Sequence, residues 1–270
     1  MIVLKNDGMT ALSFARSRFL RLYPSYWIAV ALGAIVIGAT PSVALINATM
    51  IQRFIGVPDV VGVFWTLQIE LIFYIIVFVL IVFGKIRNPS YPLIAALFFT
   101  VLSLLLSAVR FYLDKKAPVA PALGLIIIFT SFTYYNHYEQ GYLTKRQMTA
   151  FLLFICIALA ISFNLAYAKN WGYQEHPAKF IISYATGIGL FLIFKKKNLN
   201  AYPLTWLGGI SYSLYLVHVP IQQIVRNFFG SISQWGYQFL IFALAIFVAY
   251  IVNRLIEKPF YKSRIYRKYL

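Results

Sequence analysis

The chain has 270 residues, of which 61% are hydrophobic and 11% charged, and its formal net charge is +17. A soluble domain of this length needs a more polar surface, so the composition predicts an all-α, polytopic membrane helical bundle. The positive charge does not indicate nucleic-acid binding, since basic loops that meet anionic lipid explain it better. The single cysteine, Cys156, excludes an intrachain disulfide framework and a cysteine-based zinc site.

Apolar runs in the sequence predict about eight transmembrane helices, because crossing about 30 Å of hydrocarbon takes roughly 20 residues at about 1.5 Å each. In chain order the predicted spans are Leu22–Ala39, Phe64–Phe83, Pro92–Leu113, Ala120–Asn136, Met148–Ala168, Lys179–Phe194, Thr205–Arg226 and Trp235–Ile256. The stretch Pro41–Val63 is too polar to span easily, so we expect it to lie at the interface or to re-enter. We expect residues 1–270 to form a single membrane domain.

Lysine and arginine residues alternate between the two sets of loops that these spans create. One set holds 17 of them and the other holds 7, which together make the 24 of the chain. Since basic loops stay on the cytoplasmic side, this asymmetry predicts that both termini are cytoplasmic in the inner (plasma) membrane.

The first chemical pattern is FARSRFLRLYPSYW, residues 14–27. Arg18 and Arg21 are spaced i, i+3, so on a helix both guanidiniums project from one face. Paired guanidiniums at a cytoplasmic helix end suit a phosphorylated ligand, because each presents a planar fork of donors. The alternative is a positive-inside anchor that contacts only lipid.

The second pattern is FWTLQIELIFY, residues 64–74, which places an ionisable group in a run that otherwise reads as a membrane helix. Thr66, Glu70 and Tyr74 recur at i, i+4 and i+8 and therefore share one helix face. A membrane carboxylate flanked by hydroxyls suits a catalytic base, the orienter of a base, or a proton path. A structural interhelical hydrogen bond is the alternative for Glu70.

The third pattern is LGGISYSLYLVHVP, residues 207–220, in which polar residues form a stripe on an apolar helix. The stripe consists of Ser211, Tyr215, His218 and Gln222. Counting helical rise, His218 lies about 12 Å and Glu70 about 9 Å from the outer ends of their spans, so the two are predicted at similar depth. A neutral histidine bonded to a neighbouring helix is the alternative to a catalytic His218.

Three further expectations concern structure. Gly208 and Gly209 are expected to let another backbone approach closely. Glu257 lies beside a helix-ending Pro259, and we expect it to pair with Arg18 or Arg21. His137 and His176 are expected to be solvated loop residues and not metal ligands.

Taken together and in this order, four elements resemble the acyltransferase-3 family of integral membrane O-acyltransferases. RFLRLYPSYW is similar to its R-x-x-R-[IL]-x-P element and FWTLQIELIFY to its W-[ST]-L-x-x-E-x-x-F-Y element. LGGISYSLYLVHVPI and LIEKPF resemble its two C-terminal elements. The resemblance covers nearly the whole chain, from about Phe14 to Phe260.

The resemblance implies an enzyme that moves an acyl group, commonly acetyl, from acyl-CoA to a saccharide hydroxyl of the cell envelope. Acyl-CoA is then a donor substrate and not a tightly bound cofactor. Arg18 and Arg21 would hold the donor phosphates, whereas Glu70, with Tyr74 on its stripe, would belong to a catalytic region on the opposite side of the membrane. Membrane lipids, the saccharide acceptor and a second copy of the chain are the expected partners.

One departure from the family pattern affects the expected catalytic base. Family members usually have ten spans, the first of which carries an Arg…His motif, and this sequence begins at what looks like the tail of their second span. His218 is then a substitute general base, provided that its neutral ring reaches the acceptor hydroxyl. Two alternatives are a proton-coupled saccharide transporter that uses Glu70 and His218, and an inactive, truncated family member.

Overall fold

The computed structural model describes residues 10–170, 176–196, 201–229 and 234–262, which form helices joined by short loops and contain no strand. This confirms the all-α fold. The helices are α1 (Ala11–Ile37), α2 (Pro41–Asn47), α3 (Trp65–Val82), α4 (Ser90–Tyr112), α5 (Val119–Gln140), α6 (Lys145–Ala166), α7 (Pro177–Lys196), α8 (Tyr202–Phe228), α9 (Gln234–Val252) and α10 (Lys258–Lys262). Two 3₁₀ turns, Gln52–Ile55 and Gly62–Phe64, precede α3, and a π-helical turn, Asn253–Glu257, joins α9 to α10.

Within the described ranges, 7 helices are long and apolar enough to cross a membrane, which confirms a polytopic helical bundle. Each of them lies at a predicted span. The remaining predicted span, Thr205–Arg226, corresponds to α8, which has 27 residues and is long enough to cross. It is not among the 7, because polar side chains such as His218, Gln222 and Arg226 lower its mean hydropathy.

The helices group into two compact units. One unit contains α4 to α7. The other contains α1 to α3 together with α8 to α10, and we call it the site unit because it holds Arg18, Glu70 and His218. That the whole chain acts as a single domain stays a prediction.

Helix α1 begins at Ala11, well before the predicted span Leu22–Ala39. The Thr10 hydroxyl caps it by accepting a hydrogen bond from the backbone N–H of Ser13, 3.2 Å away. The arginines of this region therefore lie inside a helix that packs in the bundle. As a result Arg18 is buried, although its neighbour Arg16 is exposed.

The connector between α1 and α3, residues 38–64, is folded compactly against α1. The Asn47 side chain donates to the carbonyl oxygens of Val43 and Pro58, both 3.0 Å away, and accepts from the backbone N–H of Val60 at 2.9 Å. The Tyr26 hydroxyl donates to the Asn47 carbonyl oxygen at 2.6 Å. These bonds satisfy buried polar groups that an irregular connector otherwise leaves unpaired. That the connector lies at the interface or re-enters the membrane stays a prediction.

Gly33 lets this connector approach α1 closely. A Cβ atom added to Gly33 would lie 2.4 Å from Cγ2 of Val61, so no larger residue fits without a shift of Val61. Val61 then leads directly into the 3₁₀ turn that starts α3. The absence of a side chain at Gly33 therefore helps to fix where α3 begins.

The unit of α4 to α7 buries hydroxyls as well as apolar side chains. The Ser103 and Ser162 hydroxyls lie 3.1 Å apart between α4 and α6, and both residues are fully buried. The rings of Phe99 and Phe129 stack with centroids 5.8 Å apart. Because lipid offers no partners, such interhelical hydrogen bonds and close packing hold membrane helices together.

Candidate functional site

The site begins where α8 contacts the first turn of α3. The Tyr215 hydroxyl donates to the carbonyl oxygen of Val63 and is hydrogen-bonded to the Thr66 hydroxyl. The Thr66 hydroxyl also lies 3.2 Å from the Val63 carbonyl oxygen, and since it carries one proton it donates either to that oxygen or to the Tyr215 hydroxyl. Tyr215 is one of the polar residues that the sequence predicts on a stripe of α8. Its hydroxyl attaches that stripe to the predicted stripe of α3.

The α3 stripe is formed as its spacing predicts. The Tyr74 hydroxyl donates to Oε1 of Glu70, one turn away, while Thr66 lies one turn before Glu70 at the contact with Tyr215. Each turn advances about 5.4 Å along the axis, so the three polar groups lie at successive turns on one face of α3. Glu70 is partly buried, in a helix whose neighbouring residues are almost all apolar.

Arg18 of α1 contacts the far end of this stripe. Its guanidinium carbon lies 5.5 Å from the centre of the Tyr74 ring and 5.4 Å from that of Phe14, both within the range of a cation–π interaction. Only 8% of Arg18 is exposed, and its buried Nε has no hydrogen-bond partner in the described part of the chain. Arg18 is thus enclosed by aromatic rings.

The position of Arg18 corrects one expectation from the sequence. Arg18 and Glu70 were expected on opposite sides of the membrane, but Arg18 stacks on Tyr74, whose hydroxyl binds Glu70. The error arises because α1 starts at Ala11, so that Arg18 is two turns inside the helix and not at its end. The arginine motif and the glutamate motif therefore form one site.

Arg21, one turn further along α1, is only partly buried. It follows Arg18 at the predicted i, i+3 spacing inside α1, so the two side chains leave the helix on one face. Of the two guanidiniums, that of Arg21 is more accessible to a ligand.

His218 lies one turn beyond Tyr215 on α8, and the centres of their rings are 5.9 Å apart. Its Nδ1 lies 2.8 Å from the carbonyl oxygen of Tyr215 and 3.3 Å from that of Leu214. Carbonyl oxygens only accept, so in the neutral ring Nδ1 carries the proton and Nε2 presents a lone pair. A ring in this tautomer has the form that a general base needs.

We call six side chains the polar line: His218, Tyr215, Thr66, Glu70, Tyr74 and Arg18. Contacts join His218 to Tyr215 and Tyr215 to Thr66, and others join Arg18 to Tyr74 and Tyr74 to Glu70, while Thr66 precedes Glu70 by one turn of α3. The polar line joins three helices of the site unit. Within the described residues Glu70 and His218 make no direct hydrogen bond: Glu70 bonds Tyr74, and the His218 ring lies beside that of Tyr215. The sequence spacing predicts which residues share one face of α3 and of α8, whereas the contacts between α1, α3 and α8 are seen only in the structure.

Glu257 has other partners than the arginines expected from the sequence. The Ser213 hydroxyl donates to its Oε1 at 2.6 Å, and the Asn253 amide donates to its Oε2 at 2.5 Å. Asn253 also donates to the Gly209 carbonyl oxygen at 2.8 Å, so this cluster joins α8 to the π-helical turn. Glu257 is only 4% exposed and is satisfied where it lies. The i, i+4 spacing of Asn253 and Glu257 was the available signal in the sequence.

Two other expectations were wrong. A Cβ atom added to Gly208 or Gly209 would meet nothing within 4 Å, so no second backbone approaches either glycine closely within the described chain.

His137 lies in the last turn of α5, not in a loop, and its Nδ1 is 2.7 Å from the Leu143 carbonyl oxygen. His176 is exposed and its Nδ1 accepts from the backbone N–H of Ala178 at 3.2 Å. In the described part of the chain, no cluster of three or more histidine, cysteine or acidic residues could hold a metal ion.

Comparison with known families decides what kind of protein carries this site. The model of the Acyltransferase domain family, acyltransferase 3, matches residues 4–254. The chain belongs to the acyltransferase-3 family. Neither a search of curated proteins nor a search of solved structures gave a match. This acyltransferase-3 protein is therefore a multi-pass membrane acyltransferase in general terms, and its helices α1, α3 and α8, with the whole polar line, lie inside the matched range.

Proposed function

We propose that this membrane acyltransferase moves an acetyl group from acetyl-CoA to a sugar hydroxyl of a cell-envelope glycan or lipid-linked saccharide. The polar line supports the proposal, because a candidate base, a carboxylate and one arginine, Arg18, belong to it within one compact unit. The proposed location is the inner membrane, with both termini cytoplasmic and the chain surrounded by its lipids. A homo-oligomer is part of the same proposal.

Nε2 of His218 is the proposed general base. It removes the proton of the saccharide hydroxyl as the oxygen attacks the thioester carbonyl carbon of acetyl-CoA. The C–S bond then breaks, an ester forms, and the protonated imidazole returns the proton to the thiolate of CoA. Positioned general bases of this kind typically contribute about 10²–10⁴-fold to a rate.

Glu70 and Tyr74 are the proposed supporting groups. The carboxylate lies on the same polar line as His218, and its negative charge favours the imidazolium that forms during attack. The hydrogen bond from Tyr74 holds the carboxylate in place. Hydrogen-bond donors of the site would stabilise the oxyanion that develops on the carbonyl oxygen.

The arginines have separate proposed roles in holding the donor. Arg21 is partly exposed, and its planar guanidinium suits the phosphates of acetyl-CoA. Arg18 is enclosed by Phe14 and Tyr74, so it acts on the same phosphates by its charge and holds the Tyr74 ring against α1. Binding of the donor at α1 would then bring the thioester towards the α3 stripe.

A transfer assay with a matched pair of variants tests this proposal. The full chain in lipid vesicles is given radiolabelled acetyl-CoA and a lipid-linked saccharide, and both labelled saccharide and free CoA thiol are measured. We expect equal amounts of the two products, and a loss of at least about tenfold in Glu70→Gln, because a charge that assists the base has been removed. Glu139→Gln, at the exposed end of α5, is the control.

A proton-coupled saccharide transporter is the second candidate, since intramembrane carboxylates and histidines also form proton relays. The same polar line is the observation that favours it. In that case the vesicles would accumulate saccharide when a proton gradient is applied, without any release of CoA thiol. An inactive family member would bind acetyl-CoA but show neither transfer nor transport.

A further inference from the structure

Outside the polar line, the site unit carries an open groove of about 430 Å³ between the start of α8 and α9. It is lined by Trp206, Ala243, Ile246, Phe247 and Tyr250. Phe247 is 60% exposed, and the α9 segment that contributes most of the lining belongs to a candidate membrane span with a mean hydropathy of 2.3. An apolar groove on such a helix suits a hydrocarbon chain.

One end of the groove is closed by a cation stacked on aromatic rings. The Trp206 and Tyr250 rings have centroids 6.2 Å apart, and the Arg254 guanidinium carbon lies 5.9 Å from the centre of the Tyr250 ring. One guanidinium nitrogen of Arg254 donates to the Tyr250 hydroxyl at 2.5 Å. Arg254 is exposed, and Lys258 follows one turn later, also exposed. The groove is thus apolar along its length and positive at one end.

We propose that this groove binds an anionic phospholipid, with an acyl chain along Trp206 and Phe247 and the phosphate on Arg254. The guanidinium is a planar fork that matches phosphate oxygens, and the bond to Tyr250 orients it, while its other N–H groups form no hydrogen bond to the residues that the structure describes. Tryptophan and tyrosine beside it have the amphipathic character typical of the membrane–water interface. This site is independent of the proposed acyl transfer.

Charge complementarity favours an anionic lipid over the other occupants. A zwitterionic choline headgroup would bring a second cation to Arg254 and Lys258. A symmetric contact with a second copy of the chain would bring the two Arg254 side chains towards each other, since such interfaces pair the same surface patch. A negatively charged headgroup meets neither repulsion.

Tryptophan fluorescence tests the site directly. The full chain is placed in phosphatidylcholine nanodiscs with increasing amounts of phosphatidylglycerol that carries bromine on its acyl chains, which quenches nearby indoles. The signal of Trp206 is the difference between the wild-type protein and Trp206→Phe. We expect saturable quenching at low mole fraction of brominated phosphatidylglycerol, and only proportional quenching by brominated phosphatidylcholine.

Variants of the arginine separate a phosphate site from ordinary lipid contact. Arg254→Gln should weaken the preference for phosphatidylglycerol about tenfold, because a charge-assisted hydrogen bond is lost, and Arg254→Lys should restore part of it. Arg226→Gln, an exposed arginine at the other end of α8, should leave the preference unchanged.

Three outcomes would overturn the proposal. Equal quenching by the two lipids would mean that the groove has no headgroup preference. A preference for phosphatidylglycerol that Arg254→Gln leaves unchanged would mean that Arg254 does not hold the phosphate. A Trp206 signal that depends on protein concentration and not on phosphatidylglycerol would assign the groove to a second copy.

Discussion

The guanidinium of Arg18 lies 5.5 Å from the centre of the Tyr74 ring, and the Tyr74 hydroxyl donates to Glu70. Through Tyr74, a residue of the arginine motif on α1 is thus connected to the carboxylate of α3. Among the described residues, Tyr74 contacts both charged groups: its ring stacks on Arg18 and its hydroxyl donates to Glu70. It therefore offers a way to disturb the link without removing either charge.

Tyr74→Phe should lower the rate of acyl transfer while leaving the affinity for acetyl-CoA nearly unchanged. The ring that stacks on Arg18 stays, but the hydrogen bond to the Glu70 carboxylate is lost. Such bonds to charged groups contribute about 1.5–3 kcal/mol, which corresponds to roughly a ten- to hundredfold loss in kcat. Tyr202→Phe, on an exposed tyrosine at the start of α8, is the control. An unchanged kcat would contradict a role for the Tyr74–Glu70 bond.

Arg21→Gln should have the opposite kinetic effect. If the partly exposed Arg21 holds the donor phosphates, its loss raises KM for acetyl-CoA by about tenfold or more, again from one charge-assisted hydrogen bond. The value of kcat at saturating donor should change little. Steady-state kinetics with varied acetyl-CoA measure both, with Arg226→Gln as the control. A fall in kcat at constant KM would instead place Arg21 in the chemical step.

Gly33→Ala should destabilise the site unit. The new Cβ atom would meet Val61 at 2.4 Å, and overpacking of this kind typically costs about 1–3 kcal/mol. Gly187→Ala in α7 is a matched control, because a Cβ atom there meets nothing within 4 Å. Thermal unfolding in detergent measures both. The double variant Gly33→Ala with Val61→Ala should recover part of the loss, and no recovery would refute the steric explanation.

Glu257→Ala should also lower stability, whereas Glu257→Gln should lower it less. Removal of the whole side chain leaves the Ser213 hydroxyl and the Asn253 amide without the acceptor that they share, at a cost of about 1–3 kcal/mol for an unsatisfied buried group. Glutamine keeps one oxygen to accept. Chemical denaturation of the two variants gives the comparison. Equal stability of both with the wild-type protein would show that the cluster does not hold α8 to the π-helical turn.

The sequence predicted the parts of the site that depend on one helix at a time. Thr66, Glu70 and Tyr74 share a face because their spacing matches the helical period. The spacing of Tyr215 and His218 placed them together on α8 for the same reason. Membership of the acyltransferase-3 family was also predicted from the order of the motifs and is confirmed by the match to residues 4–254.

Relations between helices could not be predicted in the same way. The stacking of Arg18 on Tyr74 depends on where α1 starts and on how it packs against α3, which hydropathy does not reveal. Ser213, which binds Glu257, lies off the predicted stripe of α8, since two residues turn a helix by about 200° from Ser211. Periodicity identifies the polar faces but not the neighbours that they meet.

The most direct test of the account is acyl transfer by His218→Ala, because His218 is the proposed base of the polar line. His176→Ala, which changes an exposed histidine outside the site unit, is the matched control. Acetyl-CoA binding to both variants verifies that the donor site is intact. We expect His218→Ala to bind the donor normally and to transfer acetyl at least about a hundredfold more slowly, as loss of a general base requires. Transfer at the wild-type rate by His218→Ala would contradict the assignment.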